Sequence, residues 1–234
     1  MPLDPHTVEP RRPQIRRRSL THRLARVVSA DFITATVREV TLQWSEPVPH
    51  ASPGDKVWLR VEGRTRRAYT LSRVQPEQGR ARIVGVLHDR GPGGRWFSRA
   101  GVGQTVEVHG PQPDVSPQVR REGTVVLLGD ETAYGLFSGM AALASRDARV
   151  IGAVEERTTD TAGPARLGLS LDPVERDDAR PGAALRSWLE RTAHIPHDAD
   201  YVICGHARAV RLLTAELTAR GVRPGHMRAR VFWS

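Results

Sequence analysis

Several familiar functions are excluded by what the chain lacks. Cys204 is its only cysteine, so no intrachain disulfide can form. Lys56 is the only lysine among 35 basic residues, and beyond the N-terminal segment the arginines are dispersed rather than clustered. Aromatic residues make up only 5% of the chain. Nucleic-acid recognition needs a basic face with interleaved aromatics or a recognisable module. The sequence shows no zinc-ligand spacing, no helix-turn-helix pattern and no aromatic RNA-binding strand, so its net charge of +9 is not read as nucleic-acid binding. That charge still favours anionic ligands or an acidic protein partner. No run of about 18 apolar residues exists, and no membrane span is expected. Arg11-Arg12 and Arg16-Arg17-Arg18 suggest a twin-arginine export signal, but His22, Arg23 and Arg26 interrupt the apolar stretch such a signal requires. Residues 1–18 therefore read as a disordered Arg- and Pro-rich leader on a cytoplasmic protein.

What is present is ordinary globular composition, 39% hydrophobic and 26% charged over 234 residues, enough for one large or two small domains. From Ser19 to about Pro113 the pattern is all-β. Leu24 to Val28, Ile33 to Trp44, Lys56 to Glu62, Arg67 to Val74, Arg82 to His88 and Gln104 to His109 are rich in β-branched and aromatic residues and are bounded by Pro and Gly. Six short strands in this length predict a small closed barrel over residues 19–115. From Gly123 strands and helices alternate. Thr124 to Leu128, Arg149 to Val154, Tyr201 to Gly205 and Arg228 to Trp233 read as strands, and Ala133 to Ala144, Ala183 to Thr192 and Ala207 to Arg220 as helices. This predicts an α/β domain over residues 120–234 with a parallel sheet, whose ligand site lies beyond the strands' carboxyl ends. Those ends are Gly129-Asp130-Glu131-Thr132 and Cys204-Gly205-His206.

Two stretches of the barrel carry chemistry. In Arg66-Arg67-Ala68-Tyr69-Thr70-Leu71-Ser72, strand alternation puts Arg67, Tyr69 and Leu71 on one face. A guanidinium forks onto phosphate oxygens, a phenol ring stacks on a flat conjugated system, and the Thr70 hydroxyl adds a hydrogen bond, which together suit flavin adenine dinucleotide. The same residues also suit an edge strand with an exposed Arg and a half-buried Tyr. About twenty residues on, Asp89-Arg90-Gly91-Pro92-Gly93-Gly94-Arg95-Trp96 forms a glycine-rich turn into a short helix whose first amides favour an anion.

These motifs resemble the siderophore-interacting proteins, flavin-dependent ferric-siderophore reductases within the ferredoxin-NADP reductase superfamily. The resemblance rests on Arg67-Ala68-Tyr69-Thr70, on Val86 to Trp96, on Gly129-Asp130-Glu131-Thr132-Ala133 and on Phe232-Trp233. It implies that Arg67, Ala68 and Thr70 hold the FAD pyrophosphate, with Tyr69 against the flavin. His88 would lie beside the cofactor, and Gly91, Gly93, Gly94 and the amides before Trp96 would complete the cradle. Asp130, Glu131 and Thr132 would face the flavin as catalytic residues, and NAD(P)H, if used, would enter above Cys204 and Gly205. Core roles compete at three of these positions, since Trp96, His88 and Cys204 also suit packed strand or helix sites. The chain departs from the family at Gly205-His206, where glutamate is usual after the glycine, and at Tyr134-Gly135-Leu136, where Leu-Pro is usual. With one lysine it also lacks the lysines that bind anionic chelates in the family.

The implied function is FAD-dependent reduction of ferric siderophores or other ferric chelates, with electrons from NAD(P)H or a ferredoxin. Two alternatives stand beside it: a flavoreductase feeding a redox protein partner, and a biosynthetic enzyme or binding protein whose FAD is structural.

Overall fold

In the computed structural model, residues 22–87, 91–114, 123–144, 147–157, 162–192, 195–196 and 198–234 are described. The leader and His88 lie outside them. Alternating buried and exposed positions build β1 (His22–Phe32), β2 (Val37–Trp44), β3 (Lys56–Glu62), β4 (Thr65–Gln75), β5 (Arg80–Val86) and β6 (Thr105–Gln112). These pair antiparallel in the order β1-β2-β5-β4-β3-β6 and close into a barrel. Val27, Val40, Leu42, Val57, Leu59, Leu71 and Ile83 fill its interior with no exposed surface. Helix α1 (Pro92–Arg99) lies between β5 and β6 in sequence and adds Trp96 and Phe97 to this core. The strand expected from Ile33 starts only at Val37. The amides of Ile33 and Thr34 both donate to the Val37 carbonyl, at 2.9 and 3.2 Å, and so form a tight turn instead of a ladder.

The second half runs β7 (Thr124–Asp130), a 3-10 turn (Glu131–Ala133), α2 (Tyr134–Leu143), β8 (Arg149–Glu156), α3 (Gly163–Arg166), β9 (Asp172–Glu175), α4 (Ala183–Arg191), β10 (Asp200–His206), α5 (Ala207–Ala219) and β11 (Met227–Trp233). Its strands form one parallel sheet in the order β11-β10-β7-β8-β9. Strands buried on both faces explain the unbroken apolar run of β7, where Val125 to Leu128 are all buried. The sequence reading missed α3 and β9. Each is four residues long, and Pro173 interrupts β9, too little for a periodic signal.

The two halves share a hydrophobic core. Ile33, Val37 and Val84 of the barrel pack in one cluster with Leu127, Tyr134, Phe137, Val154 and Leu167 of the α/β half. Helix α2 is apolar on most sides because it is covered on both, by its own sheet and by β4. Its contact with β4 is backbone to backbone. A Cβ on Gly139 would stand 2.6 Å from the Gly54 amide nitrogen and 3.0 Å from the Leu71 carbonyl oxygen, and one on Gly135 would stand 3.2 Å from the Thr70 carbonyl oxygen. The Arg166 guanidinium also donates to the Ile33 carbonyl, fastening α3 to the turn between β1 and β2.

Alanine is normally the better helix former by ~1 kcal/mol. At Gly139 the added methyl meets backbone that cannot rotate away, so the sign should reverse. Gly139→Ala is expected to lower the urea unfolding midpoint by the equivalent of ~1–3 kcal/mol, with Gly135→Ala milder. An unchanged or raised midpoint for Gly139→Ala would show that the helix and strand do not meet this closely.

Candidate active site

On the barrel side, Tyr69 pairs directly opposite Val57 and Arg67 opposite Leu59. Directly opposed residues share a face, so Arg67 and Tyr69 continue the inward row that begins at buried Leu71. Near Arg67 that row reaches the barrel's edge, and α1 covers it. The Tyr69 ring packs against Phe97 at 5.0 Å between centroids. A Cβ on Gly93 would stand 2.4 Å from the Tyr69 hydroxyl and 3.6 Å from Arg67 Cγ, so glycine is what allows the helix start to approach both side chains. Burial pushes the Tyr69 phenol well above its ordinary range, against the opposing pull of Arg67, and the ring stays neutral. The Arg67 guanidinium is exposed and donates to the Arg66 carbonyl at 3.0 Å.

The helix start beside them has anion-binding character. Pro92 has no N–H, Gly91 at the cap has an extended backbone and no side chain to offer, and no side chain caps the amides of Gly93 and Gly94. Arg95 is turned away to Glu62 at 2.5 Å. Trp96 is buried, edge-on to Phe97 at 5.0 Å. It anchors α1 in the barrel core, as the competing core role required, and its ring does not line the helix start. On the outer face of β4, Thr70 stands opposite Lys56. Lys56 faces Asp114 at 3.6 Å, and Asp114 also faces Arg230 of β11 at 3.6 Å, so a chain of charges crosses from barrel to sheet beside Thr70.

On the sheet side, everything converges on Asp130. Its Oδ1 accepts from the Thr132 amide at 3.0 Å and from the Thr132 hydroxyl, while its Oδ2 accepts from the His206 amide and from Trp233 Nε1, both at 2.9 Å. One buried carboxylate therefore ties together the carboxyl ends of β7, β10 and β11. Gly205 makes this possible: its φ is +122°, and a Cβ there would stand 2.4 Å from Asp130 Oδ2. Glu131 is equally buried. It accepts from the Arg157 amide at 3.0 Å and pairs with Arg176 at 2.8 Å, both side chains being 2% exposed. Burial raises the Glu131 carboxyl to about 7, with Arg176 opposing and Asp130 adding to the rise. Arg176 also lies over the Trp233 ring at 5.6 Å.

His206 opens α5 as its N-cap. Its Nδ1 accepts from the Arg208 amide at 3.0 Å, and its ring meets Trp233 edge-on at 4.5 Å. Burial lowers its tendency to protonate, Arg208, Arg176 and Arg211 add to that, and Asp130 opposes. With Nδ1 accepting, the ring is neutral and carries its proton on Nε2. Cys204 is 1% exposed and belongs to the shared core; burial holds its thiol protonated far above the ordinary range, so it does not border the cleft as a reactive group.

The structure thus brings Arg67, Ala68, Tyr69, Thr70, Gly91, Gly93 and Gly94 together on one side of the interdomain contact. The Glu131–Ala133 turn meets the barrel at β5, and the helix that follows touches the Thr70 backbone through Gly135. Sequence reading missed Arg176, Asp114 and Glu155. Glu155, beside Asp130 in the sheet, accepts from the Gly182 amide with both oxygens at 3.0 Å and so caps α4 from a distance. No local motif signals a cap supplied 27 residues away.

Burial also raises the Glu155 carboxyl to about 7, opposed by the amides of Gly182, Ala184 and Leu185. A folded-state value above the unfolded one means that the folded protein binds the extra proton, so stability falls as pH rises from the unfolded value of about 4.5 through about 7. Glu155→Gln should flatten this fall, and thermal melts of both proteins across that window measure it. Parallel melting curves would show that Glu155 is ionised throughout.

Residues 13–115 match the sequence profile of the siderophore-interacting FAD-binding domain. No curated protein matches the chain at a significant level. Among solved structures, the chain is similar to a siderophore utilization protein from T. fusca at 26% identity, covering 92% of this chain and 93% of that one with a TM-score of 0.70. It is also similar in fold to the siderophore-interacting protein from Acinetobacter baumannii, at 17% identity, 92% and 91% coverage and a TM-score of 0.76. An Amycolatopsis cytochrome P450 reductase matches at 22% identity, 92% and 71% coverage and a TM-score of 0.71. Taken with the barrel, the parallel sheet and the converging motifs, these findings show that the first half of the chain carries the profile of the siderophore-interacting FAD-binding domain and that the whole chain shares the fold of siderophore-interacting proteins.

Proposed function

We propose that the protein is a cytoplasmic FAD-dependent oxidoreductase that reduces ferric siderophores or related ferric chelates, taking electrons from NAD(P)H or a ferredoxin. The observation that carries this reading is the convergence of Arg67, Tyr69 and the uncapped Gly93 and Gly94 amides at one edge of the barrel. These residues fit FAD. An exposed guanidinium and free helix amides suit its pyrophosphate, and a neutral phenol ring suits the flat flavin. When bound, FAD supplies two-electron uptake from a pyridine nucleotide and one-electron delivery to Fe(III).

The chain's own residues hold and orient. Arg67 and the α1 amides bind phosphate, Tyr69, backed by buried Phe97, packs against the flavin, and Thr70 offers a hydroxyl. Asp130 does not act as a base, because both of its oxygens are committed to donors on β10, on β11 and in the turn that follows β7. Its role is to fix the Thr132, His206 and Trp233 positions that face the cleft. Glu131 is likewise held by Arg176. In place of the family's lysines, Lys56 and Arg230 flank Asp114 beside Thr70 and offer cations to an anionic chelate. Positioning of donor, flavin and acceptor, rather than acid–base chemistry, then sets the rate.

A second reading, a flavoreductase for a protein partner, is favoured by the fold shared with the P450 reductase. The two separate in one experiment. Anaerobically photoreduced protein mixed with ferric chelates should be reoxidised rapidly, with stoichiometric Fe(II) captured by a ferrous chelator. Slow reoxidation by every chelate, together with fast reoxidation by a ferredoxin-type acceptor, would replace the first reading with the second.

His206 supplies a further check. A neutral imidazole stands where relatives of this family carry glutamate, so the cleft lacks one negative charge. His206→Glu is expected to raise the Michaelis constant for an anionic donor or chelate several-fold while FAD occupancy is unchanged. Identical kinetics with every donor and acceptor would place His206 outside the cleft.

A further inference from the structure

A groove of about 870 Å³ opens between the two halves of the molecule at the other end of the α2–β4 contact. Its barrel wall includes Arg73, Arg80 and Arg82, and its other wall includes Ala141, Ala142 and Leu167. Strand β4 meets the start of α2 where Thr70 faces Gly135, whereas the groove adjoins the helix end at Ala142, ~10 Å further along the helix axis.

The chemistry of the lining is one-sided. Among the described residues three guanidiniums line it and no carboxylate does. Arg82 is paired at 3.0 Å with Glu39, which lies outside the lining, and Arg80 donates to the Gln43 side-chain oxygen at 2.5 Å. Arg73 has neither a hydrogen bond nor an ion pair among the described residues, and its Nη2 lies 3.4 Å from where a Cβ on Gly168 would stand, so it reaches the far wall. Between these cations the lining mixes apolar Val74, Ala81 and Leu167 with the polar side chains of Ser29, Thr41, Gln75 and Ser138. A concave apolar wall focuses the field of a nearby cation, and an unpaired guanidinium prefers a carboxylate or phosphate that it can grip with two donors. The volume falls within the range of small-molecule sites.

We propose that this groove is a second ligand site, separate from the FAD cradle, for a small anionic amphiphile. One carboxylate or phosphate would sit on Arg73, and an apolar body would lie along Leu167 and Ala141. Since both halves of the protein line the groove, such a ligand bridges them, and its binding raises the stability of the joined state by mass action.

The test uses the FAD-loaded full-length protein, so the cradle is occupied. Octanoate, octyl phosphate, octanol and inorganic phosphate are compared by calorimetric titration and by thermal melts. Both octyl anions should bind and raise the melting temperature, while octanol and inorganic phosphate should bind about tenfold or more weakly. Whichever octyl anion binds more tightly names the headgroup. Arg73→Ala should weaken the octyl anions about tenfold, and Arg73→Lys should restore part of that loss. Ala142→Trp, at an exposed position of the groove, should block them with FAD content unchanged. Octanol binding as well as the anions, equal binding by Arg73→Ala and the parent protein, or no binding below ~10 mM would each overturn the proposal.

Discussion

The close approach of helix α2 to strand β4 is the constraint on which the rest depends. Two glycines one helical turn apart let a helix of the α/β half lie against the backbone of the barrel strand that carries Arg67, Tyr69 and Thr70. A helix with ordinary side chains at these positions would stand off the strand. The start of α2 is fixed by the turn that follows β7, so the same contact sets the distance between the Asp130 to Thr132 turn and the Arg67 row. Burial of Ile33, Val37 and Val84 together with Tyr134 and Phe137 gives the two halves a shared core at their contact, between the barrel's own core and that of the sheet with α4 and α5.

Buried carboxylates perform the corresponding task inside the sheet. Asp130, at the end of β7, gathers donors from two neighbouring strands and from the turn that follows it, Glu131 grips Arg176, and Glu155 caps α4. Each charge taken out of water is matched by several donors, which is the condition under which burial is tolerated. A consequence for function is that the acidic residues nearest the cleft are occupied with structure. The groups left to meet a ligand are Arg67, the α1 amides, Thr70 and the neutral His206, a set whose chemistry suits an anion.

Much of this was legible in the sequence, for identifiable reasons. Strand alternation and Pro-Gly punctuation announced the barrel, and the βα repeat announced the parallel sheet. The side-by-side placement of Arg67 and Tyr69 followed from period-two geometry alone. Other features were hidden because their partners are distant in the chain. The carboxylate of Asp130 meets donors 76 and 103 residues away, so its structural use cannot be read from the Gly-Asp-Glu-Thr stretch. Trp96 and Cys204, equally compatible with a site or a core by residue type, are core because α1 plugs the barrel and because β10 is a central strand. Gly135 was visible in a departure from the family's Leu-Pro and Gly139 was not singled out, and the purpose of both appears only once β4 is laid against them.

The most direct measurement is an equilibrium titration of the apoprotein with FAD, run in parallel on the parent chain and on Arg67→Ala. If Arg67 and the α1 amides hold the pyrophosphate, the parent protein is yellow with non-covalent FAD. Arg67→Ala then loses ~10- to 100-fold in affinity, as expected for one charge-assisted phosphate contact, while its unfolding midpoint without FAD stays within error of the parent's. A colourless protein that FAD cannot reconstitute, or an Arg67→Ala variant that binds FAD as tightly as the parent, would contradict the cradle.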